Sequence, residues 1–374
     1  MKVLQKEIKY ELKKEERLML LASRIKLNPE QEEEIIEILA SGINIEYFLA
    51  LSIRHKVLPL LSQHIIRLDY NNTIKLEYKK VINHAFQANK TKNTFLIEEL
   101  RNVLEECRKR DVQIIPLKGA MLIPTIYKDL GLRISNDLDF LITLDQSEEV
   151  SKILHSLGYL PGHYDWSKDQ VNTVTHEETI QWRDQSGNLH PHMKKVDNGF
   201  IKYFGIDFSY DVDLKRTFKA SKGLIEESIS KNLCGVETLL LNPVDFLIHV
   251  AIHLFKEATN VKWVMLHQDL NLIKFCDIRE YVLASQEELD WNVVAKRAKE
   301  LDAEEALFYC FYYLDHIFGD DFAQKAIECF GISDFSFLNR YTSSIEDDYT
   351  KTWRKNFNER FFSLSNIDEV KNPK

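Results

Sequence analysis

The chain has few cysteines and no pair of them at C-x-x-C spacing. Its five, Cys107, Cys234, Cys276, Cys310 and Cys329, are odd in number and scattered over 374 residues. They offer no disulfide framework and read as reduced thiols. The opening MKVLQKEIKYELKKEERLML is charged throughout and lacks the apolar stretch of a signal peptide. No apolar run is long enough to cross a bilayer. The expectation is therefore a soluble, cytoplasmic protein without a membrane partner. An excess of basic residues is missing as well: 49 Lys and Arg stand against 58 Asp and Glu, a net charge of −9. That balance argues against a broad nucleic-acid footprint and leaves room only for a local basic patch. There are no internal repeats and no low-complexity tracts.

What the chain does have is core material. Hydrophobic residues make up 44% and aromatics 11%, enough for two or three globular domains or one elaborated core. Residues 1–110 read as a helical region. Asn28-Pro29-Glu30 has the form of an N-cap with proline in the first turn, Ser41-Gly42 a stop, and Asn44 a second cap. The spacing of Ile82, Phe86, Ile97, Leu100 and Leu104 predicts one long helix, or two with a kink, up to about Arg110. A second helical region is expected over 221–330, opening at Asn242-Pro243-Val244-Asp245, with Asp290 capping a later helix. A mixed tail follows over 331–374. Between the helical regions, 111–220 has the pattern of an α/β core, so the fold class is α+β, a small mixed sheet flanked by helices.

The centre of that core is 114–142, IIPLKGAMLIPTIYKDLGLRISNDLDFLI. Ile114 to Leu117 reads as a short buried strand that Lys118-Gly119 breaks. An apolar helical pattern then runs through Ala120, Leu122, Ile123 and Ile126. A loop with Gly131 and Arg133 leads to Asp137-Leu138-Asp139-Phe140-Leu141-Ile142. On a strand, Asp137 and Asp139 share one face and Leu138 points to the core. Two carboxylates side by side repel unless a cation sits with them, which suits a divalent metal and a phosphate. Further on, GIDFSYDVDL (205–214) alternates as a strand, placing Asp207, Asp211 and Asp213 on one face.

This order of a strand, a glycine turn, a helix, and Asp-x-Asp on the next strand resembles the DNA polymerase β-type nucleotidyltransferase superfamily. It is closest to the bacterial branch described as an uncharacterised nucleotidyltransferase family. The matching residues are Leu117-Lys118-Gly119-Ala120, Tyr127, Gly131, Arg133 and Asp137-Leu138-Asp139-Phe140-Leu141-Ile142. The resemblance implies transfer of a nucleoside monophosphate from a nucleoside triphosphate, with ATP expected, to an acceptor hydroxyl. Two Mg²⁺ ions would be held by Asp137, Asp139 and a third carboxylate on a later strand. Val212-Asp213-Leu214-Lys215 aligns with the family's segment there, which makes Asp213 the choice and Asp211 the reserve. Lys215 stands where the family has histidine. Lys118 and Arg133 would neutralise the β and γ phosphates, and Gly119 would let the backbone approach them. The turn lacks the Gly-Ser of much of the superfamily. Acceptors of three kinds fit equally: a small-molecule hydroxyl such as a sugar or antibiotic, a protein side chain, or a tRNA end. The competing expectation is a catalytically silent nucleotide- or partner-binding module of the same fold.

The remaining polar clusters are weaker signals. Residues 160–200 read as polar loops and turns, in which Thr179 to Trp182 and Leu189 to Met193 pair across a turn. His190-Pro191-His192 fits surface loop histidines better than a structural zinc site. His249 and His253 have HxxxH spacing but lack the zincin glutamate, so they read as core or cleft-lining residues. Arg54-His55-Lys56 reads as a solvated helix face and helix end. The Phe- and Tyr-rich stretch 306–318 reads as bundle core.

Overall fold

The computed structural model of the chain describes residues 10–186, 188–196, 201–211, 220–342 and 350–371. It divides into two compact units, one made of 1–87 with 247–374 and the other of 88–246. The first begins with helices α1 (Lys14–Ala22), α2 (Pro29–Ala40), α3 (Ile45–Arg54) and α4 (Leu58–Leu68). The cap residues lie where the sequence marks them. Asn28 Oδ1 accepts the Gln31 N–H at 2.8 Å and Asn44 Oδ1 accepts that of Tyr47 at 3.1 Å. The long apolar period upstream of Lys118 is a single 34-residue helix, α5 (Leu76–Lys109).

The 88–246 unit is built on a six-stranded mixed sheet. Its elements in chain order are β1 (Ile115–Leu117), α6 (Lys118–Leu122), β2 (Asp137–Leu141), α7 (Ser147–Ser156), β3 (Leu160–Asp165), β4 (Gln170–Thr173), α8 (His176–Ser186), β5 (Asn188–Lys195) and β6 (Tyr203–Ser209). Across the sheet the order is β1-β2-β6-β5-β3-β4. β2 and β6 run parallel, whereas β1 pairs antiparallel with β2 and β5 antiparallel with β6. Pro116, which has no N–H to donate, sits on the edge strand β1, where a proline is tolerated. A helix α9 (Ala220–Glu226) and the hairpin β7 (Ile229–Leu233) with β8 (Val236–Leu240) follow.

The two-residue period sorts the faces of β2 and β6. Leu138 and Phe140 are fully buried, and their register partners Ile206 and Phe208 lie on the same face. The Phe140 and Phe208 rings stack at 5.3 Å. Burying such side chains is worth roughly 1.5–3 kcal/mol each, which fixes the register. A one-residue slip would turn every acid on the opposite face into the core. A polar tie joins α5 to this sheet: Lys194 of β5 donates to Glu99 at 3.0 Å, and the Tyr159 hydroxyl donates to the same carboxylate at 2.9 Å.

Two local expectations give way here. The segment around Thr179 to Trp182 is helix α8 rather than a strand. Its start is a T-x-x-E capping box, in which Thr175 N–H donates to Glu178 Oε2 at 2.7 Å and Glu178 N–H donates back to Thr175 Oγ1 at 3.3 Å. The partners of β5 are accordingly β6 and β3, and β3 with β4 forms a hairpin in what reads as loop.

The chain returns to the first unit through α10 (Pro243–Thr259), α11 (Val261–Met265), α12 (Leu272–Ala284), α13 (Trp291–Glu300), α14 (Glu304–Phe318) and α15 (Asp321–Cys329). α14 supplies bundle core, with Phe308, Tyr309, Phe311 and Tyr313 buried. Arg54 and His55 are buried rather than solvated. Arg54 pairs with Asp269 at 3.1 Å, and the His55 ring meets the Phe361 carbonyl at 2.9 Å and the Leu272 N–H at 3.0 Å. Arg54 and His55 of the basic triplet are thus packing elements of this unit. Among the described residues no helix is long and apolar enough to cross a membrane.

The loop between α6 and β2 is held by α5. Asn93, fully buried, donates from Nδ2 to the carbonyls of Leu130 and Arg133, each at 2.7 Å. Asn89, one turn earlier, donates to Gly131 O at 2.9 Å and Arg133 O at 3.1 Å. Asn93→Ala takes the side-chain donor from the Leu130 carbonyl and leaves the Arg133 carbonyl with Asn89 alone. We expect it to lower unfolding stability by about 1–3 kcal/mol, read as a lower urea midpoint with unchanged slope. A midpoint equal to wild type would show that the loop does not depend on α5.

Candidate active site

Leu117 ends β1 opposite Asp139, and the chain then turns sharply. The residue in the left-handed region is Lys118 (φ +45°), not the glycine. For a side chain with a Cβ that conformation is strained, and it persists because the surroundings hold it. Its ammonium reaches Asp139 Oδ1 at 2.6 Å. Gly119 is required for a different reason. A Cβ there would collide with Ser135 Oγ and lie 2.7 Å from Arg133 Nη1. The turn is therefore wedged against the loop that precedes β2. Arg133 is buried in that wedge, with Nη1 donating to the Ile134 carbonyl at 3.1 Å. Ser135 Oγ donates to Asp137 O at 3.1 Å.

The structure thus brings Lys118, Gly119, Arg133, Asp137 and Asp139 together. Asp137 and Asp139 leave the same face of β2. Their register partners on β6 are Gly205 and Asp207. Neighbouring strands lie about 4.8 Å apart, so Asp139 and Asp207 stand side by side. Asp213 lies outside the described residues, and Asp211 is just past the end of β6. The sequence placed Asp207 on the right face, but only the parallel register with β2 singles it out. The strand pattern alone could not, because it leaves open which residue of β6 meets which residue of β2.

The electrostatics follow from that crowding. Burial, then the charges of Asp139 and Asp137, push the Asp207 carboxyl up to about 7, against the pull of Lys118. Burial alone would lower the Lys118 ammonium, but Asp139, and more distantly Asp137 and Asp207, carry it above the usual lysine range. Lys118 is thus a fixed cation in a nest of acids. Among the described residues no three His, Cys, Asp or Glu side chains close into a metal cage by themselves. The three carboxylates line one edge of a face instead, an arrangement that leaves coordination positions for a ligand's own oxygens.

The remaining histidines lie outside this cluster. His190 and His192 lie on β5 and are buried, not in a surface loop, and burial pushes the His192 imidazole down to about 4. His253 Nε2 faces Glu257 at 3.3 Å on the next turn of α10, and His249 is buried on the same helix. Asp269 is held by Arg54 and by Asn366 at 2.8 Å, a structural role.

A strand, a glycine turn, a helix and an Asp-x-Asp strand paired in parallel with a further acidic strand together define a nucleotidyltransferase-like α+β core. Residues 41–319 match the family described as uncharacterised nucleotidyltransferase, and the chain belongs to that family. The match covers most of the chain and supports nucleotidyl transfer, with a nucleotide as substrate, as its general function. No curated protein and no solved structure matches it.

The raised Asp207 has a sign that can be measured. Its carboxyl keeps its proton in the folded state to about pH 7 and loses it in the unfolded chain near pH 4. Across that window the unfolded state binds fewer protons, so stability falls as pH rises and levels off above it. Asp207→Asn should flatten this fall in urea titrations run at about pH 5 and about pH 8. The same slope in wild type and variant would place the titrating group elsewhere. Gly119→Ala, by the close approach of Ser135 and Arg133, should cost about 1–3 kcal/mol in the same assay.

Proposed function

We propose that the protein is a Mg²⁺-dependent nucleotidyltransferase of the DNA polymerase β-type superfamily. In this reading it moves a nucleoside monophosphate from a nucleoside triphosphate, ATP first among them, to an acceptor hydroxyl, and pyrophosphate leaves. The observation that carries the reading is the parallel register that sets Asp207 beside Asp139 and opposite the Lys118-Gly119 turn. Like charges directly opposite on paired strands are destabilising unless something cationic is meant to join them.

The donor set fits magnesium, which takes one or two carboxylates and fills its remaining positions with water and phosphate oxygens. Asp137 and Asp139 would hold the two expected ions. When bound, the ions would lower the pKa of the acceptor hydroxyl and offset the charge on the triphosphate. The acceptor oxygen bonds to the α-phosphorus, the bond from that phosphorus to the bridging oxygen breaks, and the acceptor proton passes to a carboxylate. Asp207 is our choice for that carboxylate, since it stands beside Asp139 on the same face of the sheet. Asp213, which the alignment favours, stays in reserve for the same role. Lys118 already presents its ammonium to the site and would follow the phosphate charge, a part that serine plays by hydrogen bonding in much of the superfamily. Arg133, buried behind Gly119, would add positive potential while bracing the turn. The acceptor remains one of three classes: small molecule, protein side chain or tRNA end.

One observation favours the alternative, a catalytically silent binding module: the Lys118 ammonium sits on Asp139 where a cation would go. The two readings separate cleanly. With Mg²⁺ and ATP, wild type should release pyrophosphate once an acceptor is supplied. Asp137→Ala and Asp139→Ala should each lower turnover at least a hundredfold while circular dichroism and the urea midpoint stay near wild type. ATP binding that is indifferent to Mg²⁺ and to both substitutions would sink the enzymatic reading and favour the silent one.

A further inference from the structure

Beside the acidic face lies an aromatic cluster that nucleotidyl chemistry alone does not explain. Tyr203 opens β6 on the same face as Gly205 and Asp207. Its ring stacks on Tyr164 of β3, with centroids 4.6 Å apart and planes 19° from parallel. Trp166, at the tip of the β3–β4 hairpin, stands nearly perpendicular beside both, at 5.2 Å from Tyr164 and 5.7 Å from Tyr203. The tip is tied down by polar contacts. Tyr164 donates its hydroxyl to Asp169, whose carboxylate also pairs with Lys195 at 3.1 Å and Lys202 at 3.8 Å. Trp166 is nonetheless 71% exposed, the most exposed large hydrophobic residue among those described. An indole held by two neighbouring rings, yet largely exposed, is a stacking surface rather than a core residue.

Its position relates it to the acids. Gly205 is the register partner of Asp137, so Tyr203 stands two residues from that pair on the same face. A Cβ at Gly205 would be 3.9 Å from Asp137 Cβ and 3.3 Å from Met193 Sδ, so the floor between acids and rings is bare backbone and one thioether. Burial, then the Asp137 charge, raises the Tyr203 phenol, as expected for a ring within electrostatic reach of that carboxylate. The Lys118-Gly119 turn lies on the β1 side of the acids and the rings lie on the β6 side, so charge and aromatic surface flank the carboxylates.

We propose that Trp166, with Tyr203 and Tyr164 behind it, is the platform on which the base of the nucleoside triphosphate stacks. This rests on the nucleotidyltransferase reading above and names the subsite that would make a nucleotide, rather than a bare polyphosphate, the ligand. Stacking accepts any base face, so the platform gives affinity for nucleotides with little choice among bases.

Calorimetric titration of the full chain with Mg²⁺ complexes of ATP, of CTP and of inorganic tripolyphosphate tests this. Wild type should bind both nucleotides more tightly than tripolyphosphate. Trp166→Ala should raise the Kd for ATP and CTP roughly tenfold, leave that for tripolyphosphate unchanged, and leave the urea midpoint near wild type, with Trp166→Phe recovering most of the loss. If wild type binds nucleotides in a Mg²⁺-dependent way and Trp166→Ala binds them equally well, the platform is refuted and the nucleotidyltransferase reading stands. If wild type binds none of the three ligands, that reading fails and the platform falls with it.

Discussion

Two carboxylates side by side on adjacent parallel strands are an unfavourable thing for a protein to build. Asp139 and Asp207 face each other across the β2–β6 pair, with Asp137 one step away on the same face. Nothing in the sheet would select such a register for its own sake. It is imposed from the other face, where Leu138, Phe140, Ile206 and Phe208 are all within 1% of full burial and hold both strands to one alignment. The core thus supplies the energy that keeps the acids together. What remains is to relieve their repulsion, and the molecule does so in two ways: Asp207 holds its proton to an unusually high pH, and Lys118 puts its ammonium on Asp139.

The second of these depends on a strained backbone. Lys118 reaches Asp139 from a left-handed conformation, and the turn that holds it there needs Gly119 to have no side chain, because Ser135 and Arg133 press against it. Those two residues are positioned in turn by the loop whose carbonyls Asn89 and Asn93 bind. A chain of contacts therefore runs from one face of α5 through the loop to the turn and ends on the carboxylates. Each step is a short-range polar or steric constraint, and together they hold the turn and the loop against the carboxylates on β2 and β6.

Much of this was legible in the sequence because it follows from local rules. Asn28, Asn44, Asn242 and Asp290 are helix caps, the apolar period before Lys118 is one helix, and the alternation in Asp137 to Ile142 separates acids from core. Lys118, Gly119, Arg133, Asp137 and Asp139 could be grouped because they fall within 22 consecutive residues. What was not legible depends on pairing between distant segments. Asp207 becomes the neighbour of Asp139 only through a parallel register between strands some 70 residues apart, and a one-strand pattern cannot choose among Asp207, Asp211 and Asp213. The β3–β4 hairpin was hidden by its polar composition. The capping box at Thr175-His176-Glu177-Glu178 was a readable signal for α8 that the apparent alternation of the next residues outweighed. Arg54 and His55 looked solvated because a basic triplet usually is, and their partners Asp269 and Phe361 lie more than 200 residues away.

The lysine at the turn gains meaning from the same crowding. A serine there could donate a hydrogen bond to phosphate but could not neutralise Asp139. A lysine does both jobs with one flexible stem. Its ammonium lies on Asp139, which eases the crowding of three acidic side chains on one face. An arriving phosphate and its metal would compete for both partners at once, the metal for the carboxylate and the phosphate for the ammonium. On the proposed reading, the Lys-Gly turn would tie occupancy of the acidic face to a ligand that carries both charges, as a metal-bound polyphosphate does.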